Sequence, residues 1–175
     1  MKKADKIPLI LETLQALYPD PEIPLDSSSP FTHLVAVLLS AQCTDKQVNI
    51  VTAYLFKKYR CAADYTAVPL ESLQEDIKRI GLFRNKAKSI QNCCRALIDT
   101  HDGNVPADMK ALVALAGVGR KTANVVLGNA FNINEGVVVD THVARRSRRR
   151  GVASEKTAEK VAAVRQKQVP RDGGA

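Results

Sequence analysis

The chain has 175 residues, 45% of them hydrophobic, enough to bury one good core or two small lobes that share an interface. Its 26 Lys and Arg outnumber 18 Asp and Glu, and the resulting net charge of +8 favours polyanions as partners. No apolar run approaches the roughly 20 residues that cross a bilayer, and "MKKADKIPLI" turns polar again before a signal-peptide core develops, so a cytoplasmic protein without a membrane partner is expected.

Hydrophobic spacing is helical almost throughout, and the fold class is all-α. Ile10, Leu11, Leu14 and Leu17 predict a first helix, stopped by "YPDPEIP", whose prolines remove donors and restrict the residues before them. The stretch "YPDPEIPLDSSSP" is the best candidate for a boundary. Phe31, Leu34, Val35, Leu38 and Leu39 predict a second helix entered through Ser29 and Pro30. Thr44 and Gln47 have capping-box spacing ahead of Val48, Val51 and Leu55, which predicts a sharp corner and a third helix. Leu70, Leu73, Ile77 and Ile80 predict a fourth, closed by Gly81, and Ala87, Ile90, Cys94 and Leu97 a fifth, ending before "HDGNVP". Leu112 and Leu115 close a sixth at "GVG", and a seventh starts at Arg120 or Lys121.

Beyond it, only "GVVVD", Gly136 to Asp140, reads as extended, and it is too short to build a sheet. Asp140 would N-cap an eighth helix running through "ARRSRRRG", where five arginines fall within six positions. A weakly apolar segment from Ser154 to about Gln168 follows, anchored by Val161 and Val164. Other cations are spread over Lys86, Lys88, Arg120 and Lys121. The four cysteines, Cys43, Cys61, Cys93 and Cys94, include no C-x-x-C pair and read as reduced, mostly buried thiols, so no metal site is expected.

The stretch "LVALAGVGRKTANVVLGNAF", Leu112 to Phe131, places two glycines and an Arg-Lys-Thr between two apolar runs. A nucleotide-binding P-loop fails on spacing, because Arg120 separates Gly119 from Lys121, and on context, because a helix precedes the turn. A hairpin between two short helices fits better. Its glycines permit a tight turn and a close approach, and the second helix starts with unpaired N–H groups that attract phosphate. In a chain of this charge, a nucleic-acid backbone is the natural source of that phosphate.

Lys121 stands at the same helix start beside Arg120. The positive end of a helix and a neighbouring cation both favour the free, nucleophilic form of an amine, although a phosphate-neutralising cation is the simpler role. Asp140 follows 19 residues later and has a sufficient structural role as an N-cap. If the two helix starts face one cleft, carboxylate and amine form the pair needed to break a glycosidic bond. The anion stabilises positive charge developing on the sugar while the amine attacks the sugar carbon.

Taken together, "LAGVGRKTANVVL", "VVVDTHVAR", "LLSAQCTDKQVN" and "IGLFRNKAKSI" resemble the endonuclease III family of helix-hairpin-helix DNA glycosylases, from about Pro30 to Gly151 and in the family's order. The resemblance implies a two-lobed fold, with a helical barrel over 25–133 and a second lobe formed by 1–24 and 134–175. It implies a base-excision repair enzyme that removes oxidised pyrimidines from double-stranded DNA and nicks the strand at the abasic site. Lys121 matches the nucleophile and Asp140 the catalytic carboxylate. Gly117, Val118 and Gly119 match the hairpin that grips phosphates, together with a monovalent cation. Arg120, Thr141 and His142 lie in the same motifs as DNA contacts. Gln42 and Leu82 match residues that fill the gap left by an extruded nucleotide, a step required to reach a stacked base. A monomer associated with the bacterial nucleoid is the setting implied. The adenine-specific mismatch branch is disfavoured, since it lacks a lysine at this position.

The chain also departs from the family. Most members ligate a [4Fe-4S] cluster with C-x6-C-x2-C-x5-C, and no cysteine here follows Cys94, so the cluster is not expected from these residues. Arg146, Arg150, Gln166 and Gln168 stand where apolar anchors are usual. An incomplete C-terminal lobe is therefore expected. A helix-hairpin-helix protein that binds DNA without catalysis is the alternative.

Overall fold

The computed structural model describes residues 23–133 together with Leu9, Glu12, Thr13, Ala16 and Leu17. The expectations that fall on "GVVVD", on the arginine-rich helix and on the segment after Ser154 lie outside the described residues. So do Asp140, Thr141 and His142. Residues Ile23–Ile133 form one compact unit. Within it run seven helices, α1 (Pro30–Ser40), α2 (Asp45–Lys58), α3 (Ala62–Ala67), α4 (Leu70–Asp76), α5 (Phe83–His101), α6 (Met109–Ala114) and α7 (Arg120–Phe131), and no strand occurs among the described residues.

The first helix is seen only in part. Leu9, Glu12, Thr13, Ala16 and Leu17 are helical, recur at helical spacing and are all exposed. Leu17, 65% exposed, therefore belongs to an outward face and not to the apolar stripe in which its spacing put it.

Helix α1 begins where its chemistry requires. The Ser29 hydroxyl accepts from the Thr32 amide at 3.1 Å, Thr32 Oγ1 accepts from the Ser29 amide at 2.9 Å, and Pro30 takes a position whose N–H would be unpaired anyway. Every residue from Thr32 to Leu39 is buried, so α1 is enclosed on all sides and forms the axis of the core. Helices α2, α5 and α7 pack around it. In α2, Thr44 accepts from the Gln47 amide at 3.3 Å, while Val48, Val51 and Leu55 face inward. Its far end is tied to α4 through Asp76, whose Oδ2 accepts from both Lys58 Nζ and Tyr59 OH at 2.6 Å.

Two features differ from the sequence expectation. Helix α3 has no periodic signal in the sequence, because only Ala62 and Tyr65 of its six residues are buried and they make no stripe. It is fixed from outside. Asp64 accepts from the Arg60 and Cys61 amides, and Gln91 of α5 donates to the Tyr65 and Val68 carbonyls at its other end. Helix α4 stops at Asp76, short of Gly81. Ile77 and Ile80 are fully buried nonetheless, because consecutive turns closed by Lys78 N to Glu75 O and Ile80 N to Ile77 O also bring every third residue to one side.

Helix α5 buries Lys86, Ala87, Ile90, Gln91, Cys93, Cys94 and Leu97, one helical stripe that carries two polar side chains into the core. Helix α6 starts at Asp108, whose carboxylate accepts from the Ala111 amide at 2.7 Å.

Candidate nucleic-acid interface

The turn between α6 and α7 is built as the glycine spacing implies. Leu115 and Val118 close it through the bonds Leu115 N to Leu112 O and Val118 N to Leu115 O, both 3.1 Å, and both side chains are buried. Gly117 has φ +80°, a conformation that side chains disfavour. A Cβ there would stand 3.1 Å from the Ser89 Cβ and 3.4 Å from Leu38 Cδ2, so the turn lies directly on α5 and α1. Gly119 differs. It is the N-cap of α7 at φ −85°, and a Cβ on it would meet nothing within 4 Å.

No side chain caps α7. The first bond into the helix is Ala123 N to Gly119 O, and the amides of Gly119, Arg120, Lys121 and Thr122 have no partner among the described residues. Four N–H groups at the positive end of the helix are therefore without a partner among the described residues, and the exposed Arg120 and Lys121 side chains flank them. An anion finds here both hydrogen bonds and charge.

Gln42 and Leu82 occupy the two neighbouring corners, α1 to α2 and α4 to α5, and share an unusual backbone. Four residues other than glycine have positive φ among those described: Gln42, Leu82, Asp102 and Asn132. Asp102 and Asn132 are C-caps of α5 and α7, where such residues are at ease. Gln42 at 55° is the third residue of a turn closed by Cys43 N to Ser40 O, and Leu82 at 58° is the N-cap of α5; neither is the glycine or asparagine that such a conformation favours, and both are exposed, Leu82 to 57%. A long side chain held outward on a strained backbone is a mark of a functional position. The two corners also touch, since a Cβ on Gly81 would lie 3.7 Å from the Gln42 carbonyl oxygen.

Lys86 corrects the sequence expectation. Grouped there with the cations that attract polyanions, it is only 7% exposed, and its ammonium donates to Leu39 O at 2.9 Å and Ala41 O at 2.6 Å. Burial pulls its pKa below the usual lysine value. Its carbonyl partners belong to the C-terminal end of α1, which carries the negative end of that helix's dipole. Lys86 and Ser89 lie one turn apart on α5, so one helix supports the Gln42 and Leu82 corners and, three residues on, the glycine turn.

Comparison with known proteins gives the family. The profile of the HhH-GPD superfamily base excision DNA repair proteins matches residues 35–171. Endonuclease III of Bacillus subtilis (strain 168) is 51% identical over 152 residues, covering 87% of this chain and 69% of the relative. Endonuclease III of Escherichia coli (strain K12) is 44% identical over 172 residues, covering 98% and 81%. The chain belongs to the endonuclease III family. Among solved structures, a non-covalent endonuclease III–DNA complex superposes with a TM-score of 0.92 at 46% identity, covering 99% of this chain and 81% of that one. A trapped endonuclease III–DNA covalent intermediate superposes with a TM-score of 0.93 at the same identity, covering 99% and 82%.

Membership of the endonuclease III family supports a DNA glycosylase function in base excision repair, and likeness to the DNA complexes supports DNA as the partner. Of the residues that the family resemblance singled out, the structure describes Gln42, Leu82, Gly117, Val118, Gly119, Arg120 and Lys121. Cys93 and Cys94 are buried side by side, with the Cys93 thiol pushed up to about 12 by desolvation, Cys61 is exposed, and no group of three metal-binding side chains gathers among the described residues. No helix among them is long and apolar enough to cross a membrane.

Proposed function

We propose that this chain is a bifunctional DNA glycosylase and abasic-site lyase that acts, as a monomer, on double-stranded DNA carrying oxidised pyrimidines. The uncapped start of α7, with Lys121 exposed on it and a glycine turn seated on α5 behind it, is the observation that carries the reading. The free amides of Gly119, Arg120, Lys121 and Thr122, presented by the turn through Gly117, Val118 and Gly119, grip a phosphate, and Arg120, Thr141 and His142 add contacts to the strand. A monovalent cation belongs to the same proposal: the Gly117 and Val118 carbonyls accept no hydrogen bond among the described residues and have the hard-oxygen chemistry it needs. Gln42 and Leu82 enter the duplex where the damaged nucleotide has left it.

In the reaction, the neutral Lys121 amine attacks C1′ of the extruded nucleotide. The bond to the base breaks, and the base departs with the bonding electron pair and gains a proton. Asp140 stabilises the positive charge that develops on the sugar. The amine loses its protons as the sugar ring opens to a Schiff base. Removal of a C2′ proton then expels the 3′ phosphate, and water hydrolyses the imine to restore the lysine.

Borohydride reduces the Schiff base to a stable amine, so the test is trapping on a duplex containing thymine glycol or an abasic site. Wild type is expected to form the adduct and Lys121→Ala to form none while still binding. DNA binding by wild type with no adduct would leave a non-catalytic DNA-binding protein as the correct reading.

A further inference from the structure

We infer that Lys86 is a positioning residue for the proposed reaction: its buried ammonium, bonded to the Leu39 and Ala41 carbonyls, clamps the Gln42 and Leu82 corners into one two-pronged wedge. The inference rests on the repair reading above for what the wedge does, but its geometry stands alone. Ala41 is the residue before Gln42, and Leu82 lies four residues before Lys86, whose amide donates to the Leu82 carbonyl at 3.1 Å. A single side chain therefore joins the base of one corner to the first turn beyond the other. The partners are 45 and 47 residues away in sequence, so no local bond can replace the clamp.

A buried lysine loses hydration, and an apolar side chain of similar length would avoid that penalty only by leaving the Leu39 and Ala41 carbonyls without this donor. The ammonium instead satisfies carbonyls at the end of α1, where the chain must leave the helix at once to place Gln42 at positive φ. Both prongs lie at the surface: Leu82 is 57% exposed and Gln42 is exposed. Their mutual distance is set by the backbone beneath them, and Lys86 fixes that backbone.

The test compares wild type with Lys86→Met, which keeps the length and removes the donors, and Lys86→Arg, which keeps charge and donors. Single-turnover rates are measured on a thymine-glycol duplex and on a single-stranded abasic oligonucleotide, where no stacked gap needs filling. For Lys86→Met the duplex rate is expected to fall about tenfold to a hundredfold, the range for misplaced positioning groups, with the single-strand rate unchanged. Lys86→Arg should recover part of the duplex rate. Equal duplex rates for wild type and Lys86→Met, or parallel losses on both substrates, would overturn the inference while leaving the repair reading intact. Inactivity of wild type on both substrates would instead overturn the repair reading. Should Lys86→Met fail to fold, acetylation of wild type decides: Lys86 must resist modification under conditions that label the exposed Lys88, and equal labelling would overturn the clamp.

Discussion

Replacement of Gly117 by alanine tests the seating of the hairpin turn. At φ +80° a residue with a Cβ costs about 1–2 kcal/mol. The new methyl would lie 3.1 Å from the Ser89 Cβ, an atom fixed to the α5 backbone that cannot swing aside, and 3.4 Å from Leu38 Cδ2, which is packed in the core. Overfilling of that kind adds about 1–3 kcal/mol. Reduced freedom of the unfolded chain returns about 0.4–1 kcal/mol. The net loss is about 1–5 kcal/mol, centred on about 3, and each kcal/mol lowers Tm by about 2–4 °C in a chain of this size. Gly119→Ala is the control. Its φ of −85° suits alanine and its Cβ meets nothing, so the poorer N-cap is roughly offset by the unfolded-state gain and Tm stays near wild type. That methyl instead stands beside the open amides of α7. Loss of one hydrogen bond to a charged phosphate, about 1.5–3 kcal/mol, weakens binding to an abasic-analogue duplex about tenfold or more. Calorimetry and a binding titration on the same two proteins separate the effects. A Gly117→Ala variant that melts with wild type, or a Gly119→Ala variant as destabilised as Gly117→Ala, would refute the reasoning.

Leu82→Gly should relieve about 1–2 kcal/mol of backbone strain against about 0.4–1 kcal/mol of added chain entropy, so urea denaturation should show stability held or slightly raised while the rate on damaged duplex falls. A large drop in stability would show that the side chain serves the fold. His33 is buried, with Nδ1 3.0 Å from Ser27 Oγ and Nε2 3.4 Å from Asn129 Nδ2, and burial pulls its pKa below 6.5. Both states are neutral well above pH 6.5. Below it the unfolded chain protonates first, so stability falls with pH by up to about 1.4 kcal/mol per unit until the folded pKa is passed. Urea midpoints between pH 7.5 and 5 should therefore fall more steeply for wild type than for His33→Gln, and parallel curves would contradict the assignment.

What could be read in the sequence follows from how local the cause is. Helix starts are set by neighbouring residues, and Ser29, Thr44 and Gly119 cap α1, α2 and α7 where expected. The end of α4 is not legible, because Ile77 and Ile80 are buried at a spacing of three, which a helix and a run of turns satisfy equally. Lys86 reads as one more cation among Lys88, Arg120 and Lys121, because its carbonyl partners are 45 and 47 residues away and nothing in "RNKAKSI" sets it apart from Lys88. The corner at Leu82 is the more instructive case. Gly81 stands beside it and could take positive φ without strain, yet the positive φ falls on Leu82. A turn shaped only for folding would place the strain on the glycine and turn the leucine inward. Here the leucine bears the strain and remains more than half exposed, and its corner meets that of Gln42, which bears the same strain. Paired exceptions on touching loops are hard to explain by packing, because neither side chain gains burial from them. They are explained if both side chains must project toward the same external object, and that requirement acts across two segments 40 residues apart, beyond the reach of any local pattern.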